Sequence, residues 1–402
     1  LVGGLGKGGR GFYALNISSY QAATVADAES KVLWEFGQSR ANMGYSFGKP
    51  LIVRTAAGWR VLVTSGYDNG AATGGDGGGY VWVLDPADGS VVATLTTGVG
   101  TSSNPSGLAH LSSMANVAPD ALTRYVYGGD LLGNMWRFDL DANTATKIAE
   151  ARDSSGAAQA ITSPPEVGPV RGSADKHFVY VGTGRYFSDV DVPGSATANA
   201  GATQQQTLYG YIDDTAQASP ALPNTRGSNG ASCPAGGGDG ALVCQSFAYV
   251  AASNSYNATK HAVDIATKRG WYADWPADSR LTGGRLIGKP TLTRGGTLAV
   301  SVNVPKEERC LPGGSSWIFT VYALTGGAIP VSVNPTTGMP GTDYYDGAGA
   351  FLADALASRI VIITTADGTR GLVRLSDVTT QSRRVDEPRS LPWRRIYWRS
   401  VN

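Results

Sequence analysis

An all-β fold, a single β-propeller of six or seven blades with long loop insertions, is what this sequence predicts, and three observations carry the prediction. Short aromatic or β-branched runs ending in Asp, Asn or Thr recur along the 402 residues every ~50–70 positions. Glycine supplies 54 of those residues, spread along the whole chain. That is about twice the ordinary share of ~7%, as a chain of many tight turns requires. Helical periodicity is scarce, and only 21–31 and 346–357 are expected to hold a short helix.

The first run, GFYALNI (11–17), follows the glycine-rich GGLGKGG (3–9). That stretch lacks the spacing of a phosphate loop and the helix that must follow one, so it reads as the approach to a strand. YVWVLDPADGS (80–90), NMWRFDLDANT (134–144), TLYGYIDD (207–214), WIFTVYALTGG (317–327) and GLVRLSD (371–377) repeat the pattern. Asp and Asn end the runs because their side chains bond the backbone two residues on, and Gly supplies positive φ. A second strand precedes several of them: RVLVTSG (60–66), YVYGGD (125–130), FVYVGTG (178–184) and LAVSVNV (298–304). Each pair makes a hairpin whose near-continuous apolar character suits burial between stacked sheets. The stretch YVYGGDLLGNMWRFDL (125–140) is one such unit. The long interval before WIFTVY contains SFAYVAA (246–252) and RGWYADW (269–275), room for another unit. Residues 1–402 therefore form one propeller, the alternative being two sandwich domains. Segments 187–206 and 215–245, rich in Gly, Ala, Ser and Thr, are the expected loop insertions and the expected contact-making loops.

A formal net charge of +1 with 16% charged residues argues against nucleic-acid binding, which needs a basic face. No apolar run is long enough to span a membrane. Because the chain opens directly on a strand-like segment, it is read as a fragment of a longer precursor, which leaves open whether the protein is exported. Cys233 and Cys244 bracket the flexible PAGGGDGALV, and a disulfide between them is expected, the alternative being three free thiols. The pairing of Cys310 is left open.

Catalytic constellations are missing from the pattern. His110, His177 and His261 have no ligand-like spacing, and no nucleophile elbow or Walker loop occurs. His110, near Ser112 in GLAHLSS, reads as a packed residue rather than a base. The expectation is a protein that is not an enzyme.

Two resemblances follow from quoted stretches. FYALNISSYQAATVADAESKVLWEF (12–36) is similar to the repeats of quinoprotein propellers. That resemblance implies, as an alternative function, a pyrroloquinoline quinone-dependent dehydrogenase. The chain lacks the adjacent cysteines of that family and any assignable Glu, Asn and Asp set for its calcium. More closely, LVGGLGKGGRGFYALNIS (1–18), YVYGGDLLGNMWRFDL (125–140), GWYADWPADSR (270–280), CLPGGSSW (310–317) and WRRIYWRSV (393–401) resemble the C-terminal propeller of the PilC/PilY family. These are type IV pilus biogenesis factors and tip-associated adhesins. The resemblance implies a non-enzymatic protein at the pilus tip or outer-membrane surface, exported through the periplasm, that supports pilus extension, twitching motility and adhesion. Its implied partners are minor pilins and a host or abiotic surface, and in several members calcium. A scaffolding propeller of an outer-membrane assembly is a further alternative.

Many members carry a calcium loop just before the YVYGGD segment. Aligned backward from Tyr125, its ligand positions fall on Asn116, Ala118, Asp120 and Arg124. Calcium needs six to eight oxygens. Ala118 offers none and Arg124 brings a cation, so this degenerate loop is expected to bind nothing. SGYDNGAATGGDGGGY (65–80), with Asp68, Asn69 and Asp76, is a second calcium candidate, read first as a water-facing turn; DVDVPGS (189–195) is similar. No cofactor is assigned. Eight arginines between 370 and 399 are read as outward positions of a closing strand, with Trp393, Ile396, Tyr397, Trp398 and Val401 inward. The alternative is a basic patch for an acidic partner.

Overall fold

The computed structural model describes residues 1–390 except 20, 38, 114–120, 219, 221, 223–224, 231 and 308–312. The described strands form six sheets of three or more strands, each built on an antiparallel meander of the kind that builds a propeller blade. Blade 1 holds Val2–Gly4, Phe12–Leu15 and Val32–Phe36. Blade 2 holds Leu51–Thr55, Gly58–Thr64, Tyr80–Leu84 and Val91–Thr96. Blade 3 holds Ser112–Ser113, Tyr125–Gly129, Asn134–Asp139 and Thr144–Glu150. Blade 4 is Glu166–Pro169, Lys176–Gly182, Thr207–Asp214 and Gly270–Asp274, with Val243–Gln245 added in parallel at its edge. Blade 5 is Thr291–Leu292, Thr297–Pro305, Gly314–Tyr322 and Gly349–Ala353, extended outward by Ser255–Ala258 and Phe247–Val250. Blade 6 is Val361–Thr365, Gly368–Arg374 and Thr380–Arg384. A parallel pair, Ser332–Val333 with Arg389–Ser390, completes the described sheets.

Successive blades are joined by separate hydrophobic clusters, and the period-2 pattern of each strand explains how one strand feeds two of them. In Asn134–Asp139, Trp136 and Phe138 pack with Leu62 and Val81 of blade 2. Met135 belongs to the cluster formed with Val179 and Tyr209 of blade 4. Both faces are therefore buried, which is why the run reads as continuously apolar. Phe12, Trp34 and Phe36 join Val61 and Trp82 between blades 1 and 2. Tyr180 and Trp271 join Val300 and Phe319 between blades 4 and 5. Ala299 and Ile318 join Ile360 and Val373 between blades 5 and 6. Each fully buried Leu, Val or Phe contributes roughly 1.5–3 kcal/mol.

The GGDLLGN turn of blade 3 shows what its residues are for. A Cβ on Gly129 would lie 2.2 Å from Cγ2 of Ile161, so the close approach of the next segment requires glycine. Fully buried Asp130 accepts hydrogen bonds from the backbone N–H groups of Leu132 and Asn134, from Nδ2 of Asn134 and from Nε1 of Trp136. Burial raises its pKa, with those bonds acting in the opposite direction.

Two expectations are corrected. Residues 346–357 hold the strand Gly349–Ala353, whose pairing with Gly314–Tyr322 and Ser255–Ala258 overrides the helical tendency of its alanines. The segments around SFAYVAA and RGWYADW form no blade of their own: the first extends blade 5 and the second is the fourth strand of blade 4. The short helix expected within 21–31 is present as Val25–Glu29, capped by Thr24 in a capping box with Asp27.

Candidate functional site

Antiparallel meanders place successive connections at alternate ends of a blade. Segments 65–79 of blade 2 and 183–206 of blade 4 are equivalent connections and lie at the same end. There they meet although blade 3 lies between their blades. The ring of Phe187 packs on that of Tyr67 with centroids 4.6 Å apart. Phe47 and His110 also contact Tyr67, at 5.6 and 6.3 Å. Tyr67 is buried, whereas Phe47 and Phe187 are each 42% exposed, so the cluster presents two aromatic rings to solvent. Beside it the guanidinium of Arg10 lies 4.7 Å from the Tyr45 ring and pairs with Asp68 at 3.0 Å. An exposed aromatic pair flanked by an arginine is the composition expected of a contact surface.

The 183–206 segment is fixed by charges inside it. Buried Asp191 accepts from Nε of Arg185 at 2.6 Å and from the backbone N–H of Phe187 at 2.9 Å. Arg285, fully buried, donates Nη1 to the carbonyls of Arg185 and Asp191, Nη2 to that of Ala202 and Nε to that of Gly283. Burial lowers its pKa to about 10, and four carbonyl acceptors take the place of a carboxylate. Arg285 is not recognisable from the sequence. Nothing local marks it, since Arg185, Asp191 and Ala202 are remote in the chain.

The three candidate cation ligands of the 65–80 loop do not converge. Asp68 turns to Arg10. Asn69 donates Nδ2 to the carbonyls of Asn42 and Gly78. Asp76 accepts from the Tyr80 hydroxyl, the Gly78 N–H and Nδ2 of Asn42. Desolvation opposes ionisation of Asp76, but these bonds hold its carboxyl below the usual value. The loop is a hydrogen-bonded turn in which Asp76 anchors the backbone. Among the described residues no three His, Cys, Asp or Glu side chains group as a metal site. Asn116, Ala118 and Asp120 lie outside the described residues, and Arg124 pairs with Asp141.

Cys233 and Cys244 are bonded, with Cα atoms 5.6 Å apart; Cys310 lies outside the described residues. The 215–245 insertion is less loop-like than its composition suggests. Leu242, Val243 and Cys244 are buried in the clusters around blade 4, and Arg226 donates from Nη1 and Nη2 to both carboxylate oxygens of Asp274. The histidines are separate. Burial lowers the pKa of His110 to about 4, leaving a neutral imidazole with no hydrogen bond to Ser112 among the described residues. His177 is likewise lowered by burial, and Nδ1 of His261 lies 2.8 Å from the Cys244 carbonyl. The apolar positions proposed for 393–401 lie outside the described residues.

Comparison with known proteins agrees with this architecture. The family model for the PilY1 beta-propeller domain matches residues 1–150 and 144–233. The type IV pilus biogenesis factor PilY1 of Pseudomonas aeruginosa strain PAO1 is 30% identical over 377 residues, covering 83% of this chain and 29% of that protein. A PilY1 homolog from Xylella fastidiosa strain Temecula1 is 29% identical over 361 residues, covering 83% of this chain and 22% of its own length. The chain thus spans less than a third of the curated relatives it matches. The crystal structure of the Pseudomonas aeruginosa PilY1 C-terminal domain superposes with a TM-score of 0.68 at 25% identity, over 95% of this chain and 80% of that one.

Proposed function

This chain belongs to the PilY1 β-propeller family, and from that membership we propose that it is the binding module of a type IV pilus biogenesis factor. Family membership is the observation that carries the reading. The module acts without catalysis: its conspicuous buried groups, Asp130, Arg137, Asp213 and Arg285, are consumed by structural hydrogen bonds. It supports pilus extension, and through it twitching motility and adhesion to host or abiotic surfaces, by contacts with minor pilins at the pilus tip. It works outside the cell, and no helix among the described residues is long and apolar enough to cross a membrane. The exposed rings of Phe47 and Phe187 are the contact points, because stacked blades hold them on a rigid base.

The test is an in-frame deletion of the region encoding these residues from the parent gene, with surface pilin quantified after shearing. Loss of surface pilin, restored by the intact gene, is expected. Normal piliation in the deletion strain, with the truncated parent protein at normal abundance, overturns the reading.

A further inference from the structure

At the end of the propeller opposite the aromatic cluster, the first turns of blades 4 and 5 border a cavity of about 310 Å³. Its wall includes Phe178 and Tyr180, stacked at 5.3 Å, and Leu292 and Tyr322. Arg171 and Arg294 stand at its rim, and past them it opens into a wider hollow of about 760 Å³ that adds Arg389 and Glu387. The charges here are unbalanced. None of the three arginines has a carboxylate partner among the described residues. Among the described residues Arg171 donates only to the Pro335 carbonyl, and no side-chain hydrogen bond engages Arg294 or Arg389. Glu387 is already occupied, accepting from the Gly295 N–H and the Thr369 hydroxyl. The Tyr180 hydroxyl, on a side chain whose burial pushes its pKa well up, has no hydrogen-bond partner among the described residues.

An aromatic-walled cavity with a few convergent polar groups is the usual form of a ligand site. Guanidinium groups present a planar fork that matches a carboxylate. We propose that this groove binds a polypeptide segment in which a carboxylate side chain adjoins an aromatic or large aliphatic one. The carboxylate is held by Arg171 and Arg294, and the apolar neighbour enters against Tyr180 and Tyr322. The inference rests on the binding-module reading only in taking the partner to be a polypeptide, and it assigns a second contact surface on the face away from Phe47 and Phe187.

The test uses the whole chain and a fluorescein-labelled hexapeptide of alternating glutamate and phenylalanine, read by anisotropy. Saturable binding is expected, weakened tenfold or more in an Arg171→Ala, Arg294→Ala double variant and similarly for the glutamine counterpart of the peptide. Both arginines are exposed, so the double variant should melt with the parent chain. Equal binding of the glutamine peptide or by the double variant overturns the proposal. So does absence of binding. A heparin fragment that binds through the same arginines while the peptide does not assigns the groove to anionic polysaccharide instead, and also overturns it. These outcomes are read on the purified chain, so they are independent of pilin counts in the deletion strain.

Discussion

Replacing Arg137 with methionine should cost about 3–5 kcal/mol of stability, the range for leaving a buried charge without its partner. Arg137 projects from blade 3 toward blade 4, where Nη1 donates to both carboxylate oxygens of Asp213 at 2.9 and 3.1 Å. The side chains are 4% and 0% exposed. Tyr127 adds its hydroxyl to Asp213 at 2.9 Å, and the guanidinium also donates to the carbonyls of Asp214 and Gln217. Methionine fills the volume but strands the carboxylate with a single hydroxyl donor. Urea unfolding followed by tryptophan fluorescence should show the midpoint fall by roughly 1 M or more, for a slope of about 3 kcal/mol per M. Adding Asp213→Asn removes the stranded charge while keeping an acceptor for Tyr127, so the double variant should recover at least half of the loss. A loss below ~1 kcal/mol in the single variant, or a double variant no more stable than the single one, would refute the reasoning.

Three further outcomes follow from the same structure. His110, whose folded-state pKa lies near 4 against 6.5 for the free side chain, stays neutral when folded. Its contribution is therefore complete above pH 6.5 and is lost as pH falls toward 4. The full shift corresponds to roughly 3 kcal/mol, trimmed to about 2 by partial exposure. A His110→Phe variant should lose this part of the acid sensitivity in urea titrations at pH 7 and pH 4. Cys233→Ser with Cys244→Ser should lower stability by about 3 kcal/mol, because the bond closes a sequence separation of 11 residues; unchanged melting would contradict this. Arg285→Met should release 187–206 from its carbonyl anchors, visible as new proteolytic cleavage within that segment while the blade strands remain protected.

What was legible in the sequence was the blade strands, and the reason is local. Trp136 and Phe138 alternate with Met135 and Arg137 because one strand faces two blades, and the turn residues at each end are fixed by backbone geometry. Gly349–Ala353 was misread because a short Ala- and Leu-containing stretch has no decisive period; pairing with its neighbours settles its state. Similar reasoning explains the extra strands of blades 4 and 5, since a strand's sheet is a long-range property. The 65–80 and 187–206 segments were both recognisable as long connections. Their meeting at Tyr67 and Phe187 was not, because it depends on the fold bringing the connections of two non-adjacent blades together at one end. Arg285 was hidden for the same reason, its carbonyl acceptors coming mostly from a distant insertion.

The most direct measurement is surface pilin in a strain whose full-length parent protein carries Phe47→Ser and Phe187→Ser, beside the urea midpoint of the purified chain with the same changes. Both rings are substantially exposed, so the midpoint should move little, while surface pilin should fall toward the level of the propeller deletion. Wild-type piliation with both rings removed, at normal protein abundance, would contradict the claim that this aromatic face carries the pilus function.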